Sequence, residues 1–262
     1  TNFFKDVSIE LISNKLFINV NENPLVENIN YNGIKSETIK EKVIENLNLR
    51  SRTSFNEIAL KKDKDIILSS LKNLGYYFSV VNIEVIELQN NKIDLNFNID
   101  LGNKAKIKKI SFIGDKKYKD SKLKSLIISE EYKFWKIISG KKYLNENMIN
   151  FDEKLLKNFY LNKGFYDIEI NSSFAKMIND DEFELIYNIN AKNKFFFGDL
   201  KLTLPTDFDP ANFDDLKSLF SDLKDKPYSL NSVEKIINEI DQISTYDQYE
   251  SVKANVVEKI IS

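Results

Sequence analysis

One junction recurs along the chain and limits the folds open to it. An amphipathic helix closes on a residue that tolerates the left-handed backbone region, aromatic residues follow, and a strand pair begins. Residues 74–85 read LGYYFSVVNIEV and residues 163–170 read KGFYDIEI. The spacing of Leu60, Ile67, Leu71 and Leu74 predicts a helix over residues 56–74 with one apolar face. A second helix is predicted over residues 146–162, with Met148, Phe151, Leu155 and Phe159 as its apolar stripe. Gly75 and Gly164 stand where a helix C′ residue takes positive φ.

Two weaker copies flank these. Asn2 precedes Phe3-Phe4-Lys5-Asp6-Val7, and Asp247 precedes Gln248-Tyr249 and Val252. All four junction residues, Asn2, Gly75, Gly164 and Asp247, tolerate the left-handed region. The junctions are 73, 89 and 83 residues apart, the spacing of small domains rather than of solenoid repeats.

After each junction comes an alternating strand pair. Ile93, Leu95, Phe97 and Ile99 alternate with polar residues over 92–100, the pattern of a strand with one wet face. Its partner is residues 79–88, joined through Gln89-Asn90-Asn91. Phe183, Leu185, Tyr187 and Ile189 repeat the pattern after the Asn179-Asp180-Asp181 turn, and Leu16, Ile18 and Val20 do so after Ser13-Asn14. One more strand precedes each helix pair, carried by Ile29 and Tyr31, by Ile110 and Phe112, and by Leu200, Leu202 and Leu204. A shorter helix follows it, capped by Ser36 or Ser121, with Ile39, Val43 and Leu47 as the first apolar face. The repeat is therefore β-α-α-β-β and the chain is α+β. The expected boundaries are 1–23 for a closing hairpin, 24–102 and 103–193 for two whole repeats, and 194–262 for a partial fourth. The opening TNFFKDV reads as mid-domain, so the sequence is treated as a piece of a longer protein.

Composition removes many chemistries. The 262 residues contain no Cys and no His, which excludes disulfides, thiolate nucleophiles, imidazole bases and Cys/His zinc sites. No Gly-rich phosphate loop, serine elbow or metal-ligand cluster is present, so no catalytic, cofactor or metal residue is assigned and no enzyme is expected. A net charge of −2 leaves no electrostatic footprint for nucleic acid. No apolar run approaches the ~18 residues that span a bilayer.

Three stretches resemble the POTRA (polypeptide-transport-associated) family. TNFFKDVSIELISNKLFINVNENP resembles the closing hairpin of a first such domain, and the stretch from LVENINYNG to DLGNK resembles a second. SEEYKFWKIISGKKYLNENMINFDEKLLKNFYLNKGFYD resembles a third, with its longer inter-helix segment and a Trp before the second helix. Departures lie in the last repeat, where Asp247 replaces the usual Gly and LPTDFDPANFDD is atypical. The resemblance implies tandem domains, each a three-stranded mixed sheet with two helices on one face, and no catalytic activity.

It further implies a periplasmic scaffold at the outer membrane of a Gram-negative cell. Its partners would be unfolded outer-membrane β-barrel proteins, accessory assembly lipoproteins, and a C-terminal membrane barrel of the same chain. Unfolded precursors would be bound by β-augmentation, the pairing of an extended chain with an open sheet edge. The implied edge is the strand after the second helix of the third domain: Tyr166, Asp167, Ile168, Glu169, Ile170, Asn171, Ser172, Ser173 and Phe174. Ile168, Ile170 and Phe174 share one face there, and Asn171-Ser172-Ser173 interrupt the alternation in the manner of a bulge. Trp135 is read first as a packing residue and second as a partner contact. Phe195-Phe196-Phe197 is expected to seat one repeat against the next. Asp180-Asp181-Glu182 reads as a solvated loop, and Lys104, Lys106, Lys108 and Lys109 as a wet strand face. A related POTRA-bearing transporter, of the TamA or two-partner secretion type, and a purely structural interaction module are the alternatives.

Overall fold

Ser13 and Asn14 take φ of 48° and 65°, and Asn90 and Asn91 take 60° and 52°. Both pairs make the two-residue turn whose backbone twist matches that of the strands it joins. The first turn joins β1 (Phe4–Ile12) to β2 (Lys15–Glu22), and the second joins β4 (Val80–Leu88) to β5 (Lys92–Asp100). A computed structural model describes residues 3–135, 139–206, 208–246 and 254–261. Asn2, Asp247, Gln248, Tyr249 and Val252, to which two of the four junctions were assigned, lie outside the described residues.

In order, the remaining elements are β3 (Leu25–Asn32), α1 (Glu37–Ile44), α2 (Glu57–Asn73), β6 (Lys106–Asp115), α3 (Asp120–Lys124), α4 (Glu146–Leu161), β7 (Glu169–Asn179), β8 (Glu182–Asn190), α5 (Asp214–Leu223) and α6 (Leu230–Tyr246). Three sheets are ordered β1-β2, β3-β5-β4 and β6-β8-β7. The chain divides into two compact units, one of residues Thr1–Ile110, Ser129–Ile149 and Ala175–Leu185, the other of Ser111–Ile128, Asn150–Phe174 and Ile186–Ser262.

In the first unit, β5 is the central strand, parallel to β3 and antiparallel to β4. Its Ile93, Leu95, Phe97 and Ile99 are buried, as their alternation predicts. Val43 of α1 and Ile67 and Leu71 of α2 join them in one core. The other face stays wet and solves a problem of its own, since parallel strands are usually covered on both sides. Asn30 and Asn32 donate side-chain amide bonds of 2.9 Å to Asn96 and Asn98, and Asn28 donates one of 3.0 Å to Asp94. A register shift between Val26 and Asn28 lets the Asn28 backbone N–H reach the same Asp94 oxygen. The open face is thus a ladder of amides.

Helix ends follow their capping residues. Ser36 accepts from the Ile39 N–H ahead of α1, and Asn56 accepts from the Ala59 N–H ahead of α2. The cap assigned to Ser121 is not found, because Ser121 lies inside α3, whose N-cap Lys119 makes no side-chain bond. The α4 stripe is displaced by one residue. Asp152, Leu156 and Tyr160 are buried, whereas Phe151 is 48% exposed. An aspartate and a tyrosine occupy core positions that a hydrophobicity pattern scores as polar. Leu200, Leu202 and Leu204 form no strand; they pack, partly buried, against Phe213, Leu216, Ile236 and Ile240.

The buried aspartates are anchors. Asp63 follows the α2 cap by seven residues, and Asp152 stands seven residues after Asn145, the cap of α4. The Asp63 carboxylate accepts backbone N–H bonds from Asn48 (2.7 Å) and Leu49 (2.9 Å), fixing the loop after α1. Asp152 accepts the Ile128 N–H at 2.7 Å and the Tyr187 hydroxyl at 2.7 Å. Burial first, and the Asp63 charge second, push the Tyr31 phenol up to about 12.

Replacing Asp63 by Ala strands two backbone donors and should cost about 2–4 kcal/mol in urea unfolding. Above the ordinary phenol pKa near 10 the unfolded chain gives up a proton that folded Tyr31 keeps. Stability should therefore fall as pH rises from about 10 to about 12 and be indifferent to Tyr31 below that window. Asp63→Asn should move the Tyr31 tyrosinate absorbance step to lower pH.

Candidate functional site

The sheet order β6-β8-β7 leaves β7 at an edge, with β8 buried at the centre. An edge strand presents unpaired N–H and C=O groups to any extended chain that approaches it. β7 is 11 residues long, and every residue from Phe174 to Asn179 is exposed. Phe174, Met177 and Ile178 are 44%, 53% and 46% exposed, on both faces of the strand. Charge at the edge is confined to Glu169 and Lys176 within the strand. Glu169 is held by an ion pair with Lys192, and the Ser173 hydroxyl bonds the Glu153 carboxylate. Backbone accessibility and uncovered apolar side chains coincide in the distal half.

The nine residues assigned to this edge fall into two groups. Glu169, Ile170, Asn171, Ser172, Ser173 and Phe174 lie in β7, and the strand runs unbroken through Asn171-Ser172-Ser173. Tyr166, Asp167 and Ile168 precede it, and Tyr166 and Ile168 are engaged elsewhere. Ile168 is 4% exposed and belongs to the core. Tyr166 packs edge-on to Tyr228 (5.0 Å) and Phe195 (5.9 Å), and its hydroxyl bonds Glu258 at 2.5 Å. That bond, then burial, raises the Tyr166 pKa; burial first, then the Glu258 charge, raises that of Tyr228. The edge extends instead towards residue 179, beyond the assigned stretch.

Trp135 is 62% exposed and sits edge-on to Phe134, itself 78% exposed, at 4.7 Å. The packing role expected first for Trp135 is not what the structure shows. The Phe195 N–H donates to the carbonyl of Gly164, just past the end of α4, at 2.7 Å. Phe197 is buried and Phe196 is 58% exposed. The lysine run is more than a wet face. Lys106, Lys108 and Lys109 pair with Asp181 (2.8 Å), Glu182 (2.9 Å) and Glu184 (2.7 Å), binding the β7–β8 turn region to β6. The Asp181 bond raises the Lys106 pKa. Lys104 lies 4.8 Å from the Tyr76 ring centroid and 5.0 Å from that of Tyr143; burial, then Lys142, lowers its pKa.

β4, which the recurring junction marks as the same element of the preceding repeat, is also an edge, and the sequence analysis did not single it out. Its distal half exposes Val85, Ile86 and Leu88 by 43%, 38% and 39%. The signal was present, since these apolar residues fall on both faces of an alternating strand. Among the described residues no group of acidic side chains could hold a metal ion, and no helix is long and apolar enough to cross a membrane.

Two mixed three-stranded sheets with paired helices, in β-α-α-β-β order and ending in open edges, define a class of tandem α+β repeat proteins. The family model for POTRA, the surface antigen variable number repeat, matches residues 24–102 and 105–192, and the chain belongs to this family. It is 25% identical over 244 residues to the outer membrane protein assembly factor BamA of Neisseria meningitidis serogroup B, covering 92% of this chain and 30% of that protein. To BamA of Buchnera aphidicola subsp. Acyrthosiphon pisum it is 25% identical over 186 residues, covering 69% and 30%. The crystal structure of Haemophilus influenzae BamA POTRA3-5 aligns with a TM-score of 0.47 at 15% identity, over 84% of this chain and 85% of that one. The chain spans 30% of the length of these two curated relatives.

The division within the nine residues is measurable. Ile168→Ala should cost about 2–4 kcal/mol by opening a cavity. Met177→Ser and Ile178→Ser should each change stability by less than about 0.5 kcal/mol, as solvent-exposed positions do.

Proposed function

We propose that this chain is a periplasmic scaffold of an outer-membrane β-barrel assembly machine, and that it holds unfolded barrel precursors by β-augmentation along β7. The observation that carries the mechanism is the open edge of the β6-β8-β7 sheet, with six consecutive exposed residues from Phe174 to Asn179. The assembly role rests on similarity to BamA proteins over as much as 92% of the chain. Pairing through backbone groups suits clients that share alternation but not sequence, because main-chain bonds supply affinity whatever the side chains are. Phe174, Met177 and Ile178 would then grip the apolar face of the incoming strand.

On this reading the repeats divide at 1–23, 24–102, 103–193 and 194–262, and a membrane barrel belongs to the same protein. Accessory lipoproteins dock on its other surfaces. The exposed Phe134–Trp135 pair is the proposed contact for one of them.

A photo-crosslinking residue placed in turn at positions 169–179 should capture an unfolded barrel precursor and should not capture the same protein once folded. Neighbouring residues of a strand point their N–H groups to opposite sides. Of Ser172→Pro and Ser173→Pro, one should therefore abolish crosslinking with the sheet intact, and the other should disturb the ladder to β8. No crosslink to an unfolded precursor at any of the eleven positions would sink the proposal.

A further inference from the structure

Both whole repeats demand a glycine at the end of their first strand. Gly33 follows β3 with φ +94°, and a Cβ there would lie 1.8 Å from the Ile99 carbonyl oxygen. Gly114, near the end of β6, takes φ +83°, and a Cβ there would lie 2.3 Å from the Ile189 carbonyl oxygen. Ile99 and Ile189 occupy matching places, each next to last in a central strand. So close an approach admits no side chain, and the positive φ disfavours one independently.

The residue before the glycine escapes this constraint, and the repeats differ there. The third repeat has Ile113, 43% exposed, and the second has Asn32, which is exposed as well. Asn32-Gly33 is the single Asn-Gly dipeptide in the 262 residues; every other asparagine is followed by a residue that carries a side chain.

That difference has a chemical consequence. The backbone nitrogen after an asparagine can attack the asparagine's own side-chain carbonyl carbon, and a Cβ on the following residue hinders the attack. At this place the fold has removed the Cβ. The Gly33 nitrogen forms a bond to Asn32 Cγ, the Cγ–Nδ2 bond breaks, and Nδ2 leaves as ammonia with the proton that the Gly33 nitrogen gives up. The product is a cyclic succinimide. Water opens it at either carbonyl, leaving aspartate or isoaspartate; in the latter the backbone runs through the former side-chain carbon. Water is the only co-reactant.

The amide ladder bears directly on this reaction. Asn32 Nδ2, the atom to be expelled, donates to Asn98 Oδ1 at 2.9 Å, and the two residues are partners in the β3–β5 register. Ring closure must break that bond. An aspartate at position 32 then offers an oxygen where Asn98 Oδ1 had a donor. Asp100, the next residue of β5 on the same face, adds like charge nearby. An isoaspartate lengthens the backbone by one methylene just ahead of the tight contact with Ile99 and of Ile34, a core residue. The rungs behind are spared, because Asn30 is followed by Tyr31 and Asn28 by Ile29.

We propose that Asn32 is a site of spontaneous deamidation: the demand for glycine at position 33 creates the reactive dipeptide, and Asn98 is the positioning residue that slows its conversion. Each event adds a negative charge to the open face of the β3-β5-β4 sheet, and the isoaspartate form releases the end of β3 from β5. Client binding at β7 plays no part in this chemistry.

The test is incubation of the whole 262-residue chain in heavy-oxygen water, with residue 32 followed by peptide mass spectrometry. The folded chain should take up heavy oxygen at residue 32 as a mixture of aspartate and isoaspartate, and the chain unfolded in guanidinium chloride should do so faster. Asn98→Ala removes the acceptor and should speed conversion in the folded chain about two- to ten-fold, the change expected from one neutral hydrogen bond. Asn98→Asp keeps an acceptor and should hold the slow rate. If Asn98→Ala loses sheet content by circular dichroism, Asn98→Val, which favours a strand and also lacks the acceptor, carries the comparison. Retention of the Asn32 amide in the folded chain, over a time in which the unfolded chain loses it, overturns the site. Equal rates in the parent chain and a folded variant without the acceptor overturn the role of Asn98.

Discussion

A helix end must turn the chain aside and settle the backbone groups around it, and this chain is organised around that need. α2 and α4 are both followed by a glycine with positive φ, and that glycine's carbonyl takes a donor from about thirty residues further on, the N–H of Ala105 or of Phe195. Ring contacts follow from the same geometry: Tyr76 and Tyr143 share Lys104, and Tyr166 meets Phe195 and Tyr228. A helix end that would otherwise need water becomes the socket of its neighbour. Short linkers are a consequence, because the donor must arrive within hydrogen-bond distance.

The sheets carry the complementary constraint. A three-stranded sheet buries one strand and leaves two edges, and edges are a liability that most proteins blunt. In the first unit α1 and α2 cover one face of the β3-β5-β4 sheet, the amide ladder wets the other, and the β4 edge stays open. β7 is the same element one repeat later, and its distal half is exposed on both faces. A scaffold that recognises backbone groups needs neither a nucleophile nor a titrating base, which agrees with a chain that has no His and no Cys. The function proposed for β7 uses the unpaired edge that the fold cannot avoid making.

Much of this was legible in residue order. Period-two alternation placed β5 and β8, Ser13-Asn14 and Asn90-Asn91 placed two hairpin turns, and Gly75 and Gly164 marked the helix ends. The errors have a common source. In α4 the predicted stripe missed by one position because Asp152 and Tyr160 face the core, where Asp152 holds Ile128 and Tyr187. Tyr166 and Ile168 were read as edge residues, yet one is bonded to Glu258 and the other is buried. Leu200, Leu202 and Leu204 alternate like a strand but form no ladder. In each case a partner distant in sequence decided the role, and local periodicity carries no information about that partner.

The sequence by itself determined the repeat and its element order, since periodicity, turn residues and helix-end glycines act over a few neighbouring residues; which strands are left at the edges was decided by the sheet order. Only the tertiary structure decided which polar groups are structural. Asp63 and Asp152 look like surface carboxylates until the backbone donors of a remote loop are seen around them. Asn145 looks like an ordinary cap until its amide reaches Asn73, which lies 72 residues earlier. A hydrogen bond needs both partners placed to within a few tenths of an ångström. That placement comes from packing, and a linear pattern does not encode it.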